Sequence, residues 1–138
     1  MAHPNGLTAL TLPNDVREAI ADWRTWLSDE RRASNHTTEN YLADLYAFLG
    51  FINGHLDGVP DLNALLRLNP RDFRSWLARR SMDGMAKTST ARALSSLRNF
   101  YRFLDRSGRG QNAAVSSIRN PRLPQTAPKP LSPVDALA

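Results

Sequence analysis

Apolar positions recur along this chain at steps of three and four residues, in blocks divided by glycine, proline and capping residues. Val16, Ile20, Trp23 and Leu27 form the first stripe, with Ala19 and Trp26 beside it, and the spacing predicts a helix over 14–31. Asn14 is its expected N-cap, and Asp15 and Glu18 fall in the first turn, where the helix dipole favours negative charge. Ser34 is the next expected cap. Tyr41, Leu45, Phe48 and Ile52, flanked by Leu42, Leu49 and Phe51, predict a second helix over 35–54. Leu62, Leu65 and Leu66 suggest one short apolar turn. Asn69-Pro70 then reads as a cap followed by a first helical residue, opening a third main helix over 70–82 around Phe73, Trp76 and Leu77. Gly84 allows a turn before the most strongly two-sided helix of the chain, which runs to Arg106. The expected class is all-α.

That last helix carries Ala91, Leu94, Leu97, Tyr101 and Leu104 on one face, widened by Ala93, Phe100 and Phe103. Arg92, Ser95, Asn99, Arg102 and Arg106 step along another side. Three arginines with a serine and an amide between them suit a polyanion, and the same pattern also describes a solvated face. Charge distribution favours the first of these. The net charge of +5 is unevenly held: residues 1–83 contain nine basic and eleven acidic side chains, residues 84–138 nine basic and two acidic. Such asymmetry points to a nucleic acid or another anionic surface. Arginine outnumbers lysine sixteen to two, which suits bidentate contacts to phosphate or guanine, although a G+C-rich genome would raise the ratio as well.

Candidate chemistry narrows the function further. The chain has no cysteine, so disulfides, thiolate catalysis and cysteine metal sites are excluded. Its seven glycines are scattered, with no phosphate-cradling loop, and His3, His36 and His55 lack metal-ligand spacing. Neither a membrane-spanning run nor a secretory signal is evident, so the expected location is cytoplasmic. No cofactor, metal or small-molecule substrate is expected. The chain reads as a binding module rather than an enzyme. Ser107 to Gly110 ends the last main helix, and 111–118 could form one more short helix. Prolines 121, 124, 128, 130 and 133 then mark a linker, and Ser132-Pro133 resembles the start of a helix in a further domain. The expected organisation is a flexible leader over 1–13, a helical DNA-binding domain over 14–110, and over 111–138 a linker with the beginning of a second domain.

Two stretches resemble a known family. Ser34-Asn35-His36-Thr37-Thr38-Glu39-Asn40-Tyr41-Leu42-Ala43-Asp44-Leu45-Tyr46-Ala47-Phe48-Leu49 is similar to the second helix of the amino-terminal domain of tyrosine recombinases, the phage integrase family. Arg92-Ala93-Leu94-Ser95-Ser96-Leu97-Arg98-Asn99-Phe100-Tyr101-Arg102-Phe103-Leu104 resembles a later helix of the same domain, and Pro128-Lys129-Pro130-Leu131-Ser132 the junction into the catalytic domain. Within the family the likeness is to the cellular Xer branch. It implies a compact SAM-like bundle of four main helices, the core-binding domain, which forms half of a clamp on a duplex recombination half-site. It further implies a related partner recombinase, a tetramer on DNA, chromosome dimer resolution, and cleavage by a second domain that this fragment lacks. Two departures from the family pattern are Ala86, where a capping serine is common, and Asn112-Ala113, where Asn-Pro is common.

On that basis the expected DNA contacts are Lys87, Thr88, Ser89, Arg92, Ser95, Arg98, Asn99, Arg102 and Arg106 from the last main helix, with His36, Thr37 and Asn40 from the second. Arg119, Arg122 and Lys129 would track the DNA backbone from the linker. Arg98 sits nearer the apolar stripe, and Asp44 or Asp105 are alternative partners for it. Ser34 is explained by capping alone. Trp23, Trp26, Tyr41, Phe73, Trp76, Phe100 and Tyr101 are assigned to the core. Two other readings are a helical bundle that binds an acidic protein or another copy of itself, and a different integrase-type or helix-turn-helix DNA binder.

Overall fold

The computed structural model describes residues 11–122, which form six helices and, among the described residues, no strand. They are α1 (Asn14–Asp29), α2 (Asn35–His55), α3 (Leu62–Leu66), α4 (Pro70–Met82), α5 (Lys87–Arg106) and α6 (Ala113–Ser117). The four long helices match the four expected from periodicity, and α3 and α6 are single short turns. Lys129 and the Ser132-Pro133 helix start lie outside the described residues.

Local chemistry sets most boundaries. Ser34 caps α2, its Oγ accepting from the Thr37 amide at 3.0 Å. Asn69 and Asp72 close a reciprocal capping box on α4, with Pro70 at the first position. Gly84 takes a left-handed φ of +80° between α4 and α5, the conformation glycine adopts at least cost. At α1 the expectation fails. Pro13, not Asn14, occupies the N-cap, and no side chain caps the helix. Asn14 sits inside the first turn, where its amide oxygen accepts from the Arg17 guanidinium. Asp15 reaches across to accept from the Leu62 amide at 3.1 Å, tying α1 to the start of α3.

The core lies between α2 and its neighbours α1, α4 and α5, with the most extensive packing against α5. Val16, Trp23, Leu45, Phe48, Leu49, Phe73, Leu94, Leu97, Phe100 and Leu104 are all fully buried. At about 1.5–3 kcal/mol for each large apolar side chain removed from water, these stripes are the main source of stability. Aromatic rings link the helices in sequence. Trp23 meets Phe100 edge-on at 5.1 Å, Phe100 meets Tyr101 at 5.9 Å, Tyr101 meets Phe73 at 5.9 Å, and Phe73 stacks on Phe48 at 5.7 Å. Trp26 and Tyr41 complete the aromatic set but are only partly buried.

The segment after α5 is folded onto the same core. Gly110 takes φ +145°, a conformation that favours glycine, and a Cβ there would stand 2.6 Å from Leu66 Cδ1 and push that side chain aside. Asn112 then caps α6, its Oδ1 accepting from Ala114 and Val115, while its Nδ2 donates to the carbonyls of Leu65 and Leu68 at 3.1 and 3.0 Å. Val115 and Ile118 are buried.

Tyr101 donates its hydroxyl to the Leu65 carbonyl at 2.8 Å, and burial pushes its pKa far above the ordinary value of 10.0. A raised folded pKa leaves stability intact below the unfolded value and removes it as pH climbs beyond it. Thermal melts should therefore fall more steeply above about pH 10 for the parent chain than for Tyr101→Phe.

Candidate nucleic-acid interface

The exposed side of α5 is a consequence of its apolar side. With Ala93, Leu94, Leu97, Phe100, Tyr101 and Leu104 committed to the core, positions 88, 92, 95, 102 and 106 face solvent, and Asn99 is half-buried at the edge of the stripe. Lys87 and Thr88 are exposed at the helix start and Ser89 is half-buried. Ala86 provides no side-chain cap, as its identity predicts, so the first amides of α5 have no side-chain acceptor.

Arg92 is half-exposed, its side chain at 54% of full accessibility, yet one edge of its guanidinium is fixed. Nε donates to Asp44 Oδ2 at 3.3 Å and Nη2 to Asp44 Oδ1 at 3.1 Å. Asp44 is 6% exposed and is held in turn by the hydroxyl of the fully buried Ser96, at 2.8 Å. Asp44 therefore pairs with Arg92 rather than with Arg98. Close by, Arg80 is buried against Trp76 at 5.6 Å and donates from Nε to Thr90 Oγ1 at 2.9 Å. Burial lowers the Arg80 pKa from its ordinary value, while the Asp44 charge acts to raise it. Arg80 is one of four arginines, with Arg71, Arg74 and Arg79, that lie around α4. In the fold it lies under the α4–α5 turn and helps hold the start of α5.

Asn99 and Arg98 are also engaged. Asn99 Oδ1 accepts from Trp23 Nε1 at 2.9 Å, which aligns α5 on α1 and leaves the amide nitrogen of Asn99 with no protein partner among the described residues. The Arg98 guanidinium turns to the C-terminal segment: Nε donates to the Val115 carbonyl at 3.2 Å, and the other nitrogens meet the Ile118 carbonyl and the Asn120 side chain. Arg98 thus pairs with neither Asp44 nor Asp105. Ser95 and Arg102 are exposed, and among the described residues no hydrogen bond or ion pair engages their side chains. Arg106 lies over the Trp26 ring at 5.8 Å, and Arg31 lies over the same ring at 5.5 Å, so two guanidinium groups converge there.

The start of α2 flanks this stripe. Asp44 meets Arg92 and Ser96, whereas Tyr41, one turn earlier, stacks on Trp23 at the level of Asn99. The two helices therefore run in opposite senses, and the turns of α2 bearing His36, Thr37 and Asn40 lie toward the C-terminal half of α5, away from Lys87, Thr88 and Ser89. His36 is exposed, while Thr37 and Asn40 are half-buried. The Thr37 hydroxyl already accepts from Ser34 at 3.0 Å. Arg119 and Arg122 are exposed beyond α6. Sequence reasoning named Asp44 only as an alternative partner for Arg98, not for Arg92, and passed over Arg31. Asp44 had a signal, since it is an acid on the apolar side of its helix. Arg31 had none, because its role depends on α1 lying against the end of α5. Among the described residues no group of His, Asp or Glu is gathered for a metal ion, and no helix is long and apolar enough to cross a membrane.

The model of the phage integrase N-terminal SAM-like domain matches residues 20–108. The chain is 43% identical over 124 residues to tyrosine recombinase XerC of Methylobacterium sp. (strain 4-46), covering 90% of this chain and 38% of that protein. It is 41% identical over 122 residues to XerC of Rhodospirillum centenum, covering 88% and 36%, and 36% identical over 121 residues to XerC of Rickettsia bellii, covering 88% and 40%. The chain thus spans well under half the length of these curated relatives. No solved structure matches significantly. The family match covers α2 to α5 whole together with most of α1, and on that ground the chain belongs to the phage integrase N-terminal SAM-like domain family.

Proposed function

We propose that this chain binds duplex DNA sequence-specifically, as the amino-terminal half-clamp of a site-specific tyrosine recombinase of the Xer type. The observation that carries the proposal is the exposed stripe of α5, in which Arg92 is held by Asp44 with its outer edge free. Arg92, Arg102, Arg106 and Lys87 would supply the positive charge, with Thr88, Ser89, Ser95 and Asn99 adding shorter hydrogen bonds and His36, Thr37 and Asn40 approaching from α2. Arg98 would act at the edge of this surface, where the chain leaves the bundle. Arg119, Arg122 and Lys129 would follow the phosphate backbone. Most contacts of such a surface go to phosphate and orient the protein, and a few go to base edges.

Strand cleavage would fall to a second domain beyond the linker, since the hydroxyl that meets a carboxylate within residues 14–110, Ser96 on Asp44, is fully buried and out of reach of DNA. The relatives' share of unmatched length supports that division. In the proposed setting the protein works in the cytoplasm with a related recombinase, as a tetramer that resolves chromosome dimers.

Fluorescence anisotropy on labelled duplexes tests the binding reading. Affinity should fall steeply with salt, with a log–log slope on the order of −0.9 per phosphate neutralised. Arg92→Ala should weaken the preferred duplex by about 1–3 kcal/mol, corresponding to the loss of one bidentate base contact. Absence of duplex binding at low salt, on a pool of random duplexes, would overturn the proposal.

A further inference from the structure

The guanidinium of Arg92 has five N–H donors, and Asp44 takes two of them through the Nε and Nη2 edge. Three remain, two on Nη1 and one on Nη2, and none has a protein partner among the described residues. They form the outer fork of the group, the one that fits a pair of acceptors such as O6 and N7 of guanine or two phosphate oxygens. An exposed arginine ordinarily samples many rotamers and loses them on binding. Here the loss is taken on folding, because the carboxylate that holds the arginine is itself immobile. Asp44 is buried between α2 and α5 and receives the Ser96 hydroxyl on Oδ2, the same oxygen that accepts from Arg92 Nε. Three residues from two helices therefore fix the direction in which the fork points.

We infer that Asp44, seconded by Ser96, is the positioning residue that gives Arg92 its base selectivity, so that an acid on the DNA-facing side strengthens specific binding. This inference rests on the proposal that Arg92 meets DNA. Its sign is what makes it testable. Through simple electrostatics a carboxylate near DNA weakens binding to every sequence, and removing it should tighten all of them. Through positioning, removing it frees Arg92 to follow any phosphate and weakens only the sequence whose acceptors match the held fork.

The experiment uses a duplex enriched from a random pool on the parent chain, and a scrambled duplex of the same length and composition. Asp44→Asn should lower affinity for the enriched duplex about threefold to tenfold, the effect of ordering one long side chain. The scrambled duplex should be bound as well as before, or tighter. Arg92→Ala should lower the ratio of the two affinities, and adding Asp44→Asn to it should lower that ratio no further. Equal tightening on both duplexes by Asp44→Asn overturns the inference. If Arg92→Ala lowers the ratio and folded Asp44→Asn does not, positioning alone fails. If Arg92→Ala leaves the ratio unchanged, the Arg92 contact itself is refuted and the inference with it. Should Asp44→Asn fail to fold, Ser96→Ala removes the bond that immobilises the carboxylate and keeps the ion pair. It should lower the ratio about twofold to threefold, and an unchanged ratio overturns the inference.

Discussion

Trp23→Ala is expected to destabilise the chain by about 3–5 kcal/mol, a large part of the stability of any domain this size. Trp23 is fully buried in α1, stacks on Tyr41 of α2 and meets Phe100 of α5 edge-on. One side chain thus joins three helices, and its removal leaves a cavity that none of them can close without moving the others. Its indole N–H also holds Asn99 on the exposed side of α5. Trp23→Phe keeps most of the packing and leaves the Asn99 oxygen unpaired, so it should cost less, about 1–3 kcal/mol. Urea denaturation followed by circular dichroism measures both. Equal effects from the two substitutions would show that the hydrogen bond, rather than ring volume, dominates at this site.

Asn112→Ala should cost about 2–4 kcal/mol, more than an amide near the end of a folded body would suggest. The side chain accepts from two amides at the start of α6 and donates to the carbonyls of Leu65 in α3 and Leu68 just after it. Without it, α6 loses its cap and the Leu68 carbonyl loses this bond in a buried setting. The Leu65 carbonyl keeps the Tyr101 hydroxyl. Asn112→Asp separates the two roles, since it keeps the capping oxygens and turns a carboxylate toward those carbonyls. It should be at least as destabilising as alanine near neutral pH. If Asp instead matches Asn in denaturant titrations, capping alone accounts for the residue. Loss of α6 packing should also release the Arg98 latch on Val115 and Ile118, which hydrogen exchange over 113–118 would report.

Much of the molecule is legible in its sequence. The stripes Val16–Ile20–Trp23–Leu27 and Leu94–Leu97–Tyr101–Leu104 define faces by spacing alone, and those faces are the buried ones. Ser34, Asn69 and Gly84 mark boundaries because their effects are local: a hydroxyl or amide reaching an amide three residues away, or a backbone without a Cβ. Asn14 shows the limit of that reasoning. A good capping residue one position too late is drawn into the helix, and Pro13 takes the cap position instead.

The side-chain pairings were not legible. Arg92, Arg98 and Arg80 are alike in a sequence, each an arginine on a helix with mixed neighbours. In the fold one is half-exposed on a buried carboxylate, one is turned to carbonyls of the following segment, and one is buried beneath a turn. Helical periodicity carries the direction in which a side chain leaves its own helix and nothing about what arrives opposite it. Sequence by itself determined the four main helices, their apolar faces and the concentration of positive charge after residue 84, because these depend on neighbours within a few positions. Only the tertiary structure decided which arginines remain free to meet a partner, because that depends on Asp44, Trp26 and the carbonyls of α6, brought in from elsewhere in the chain by burial of the core.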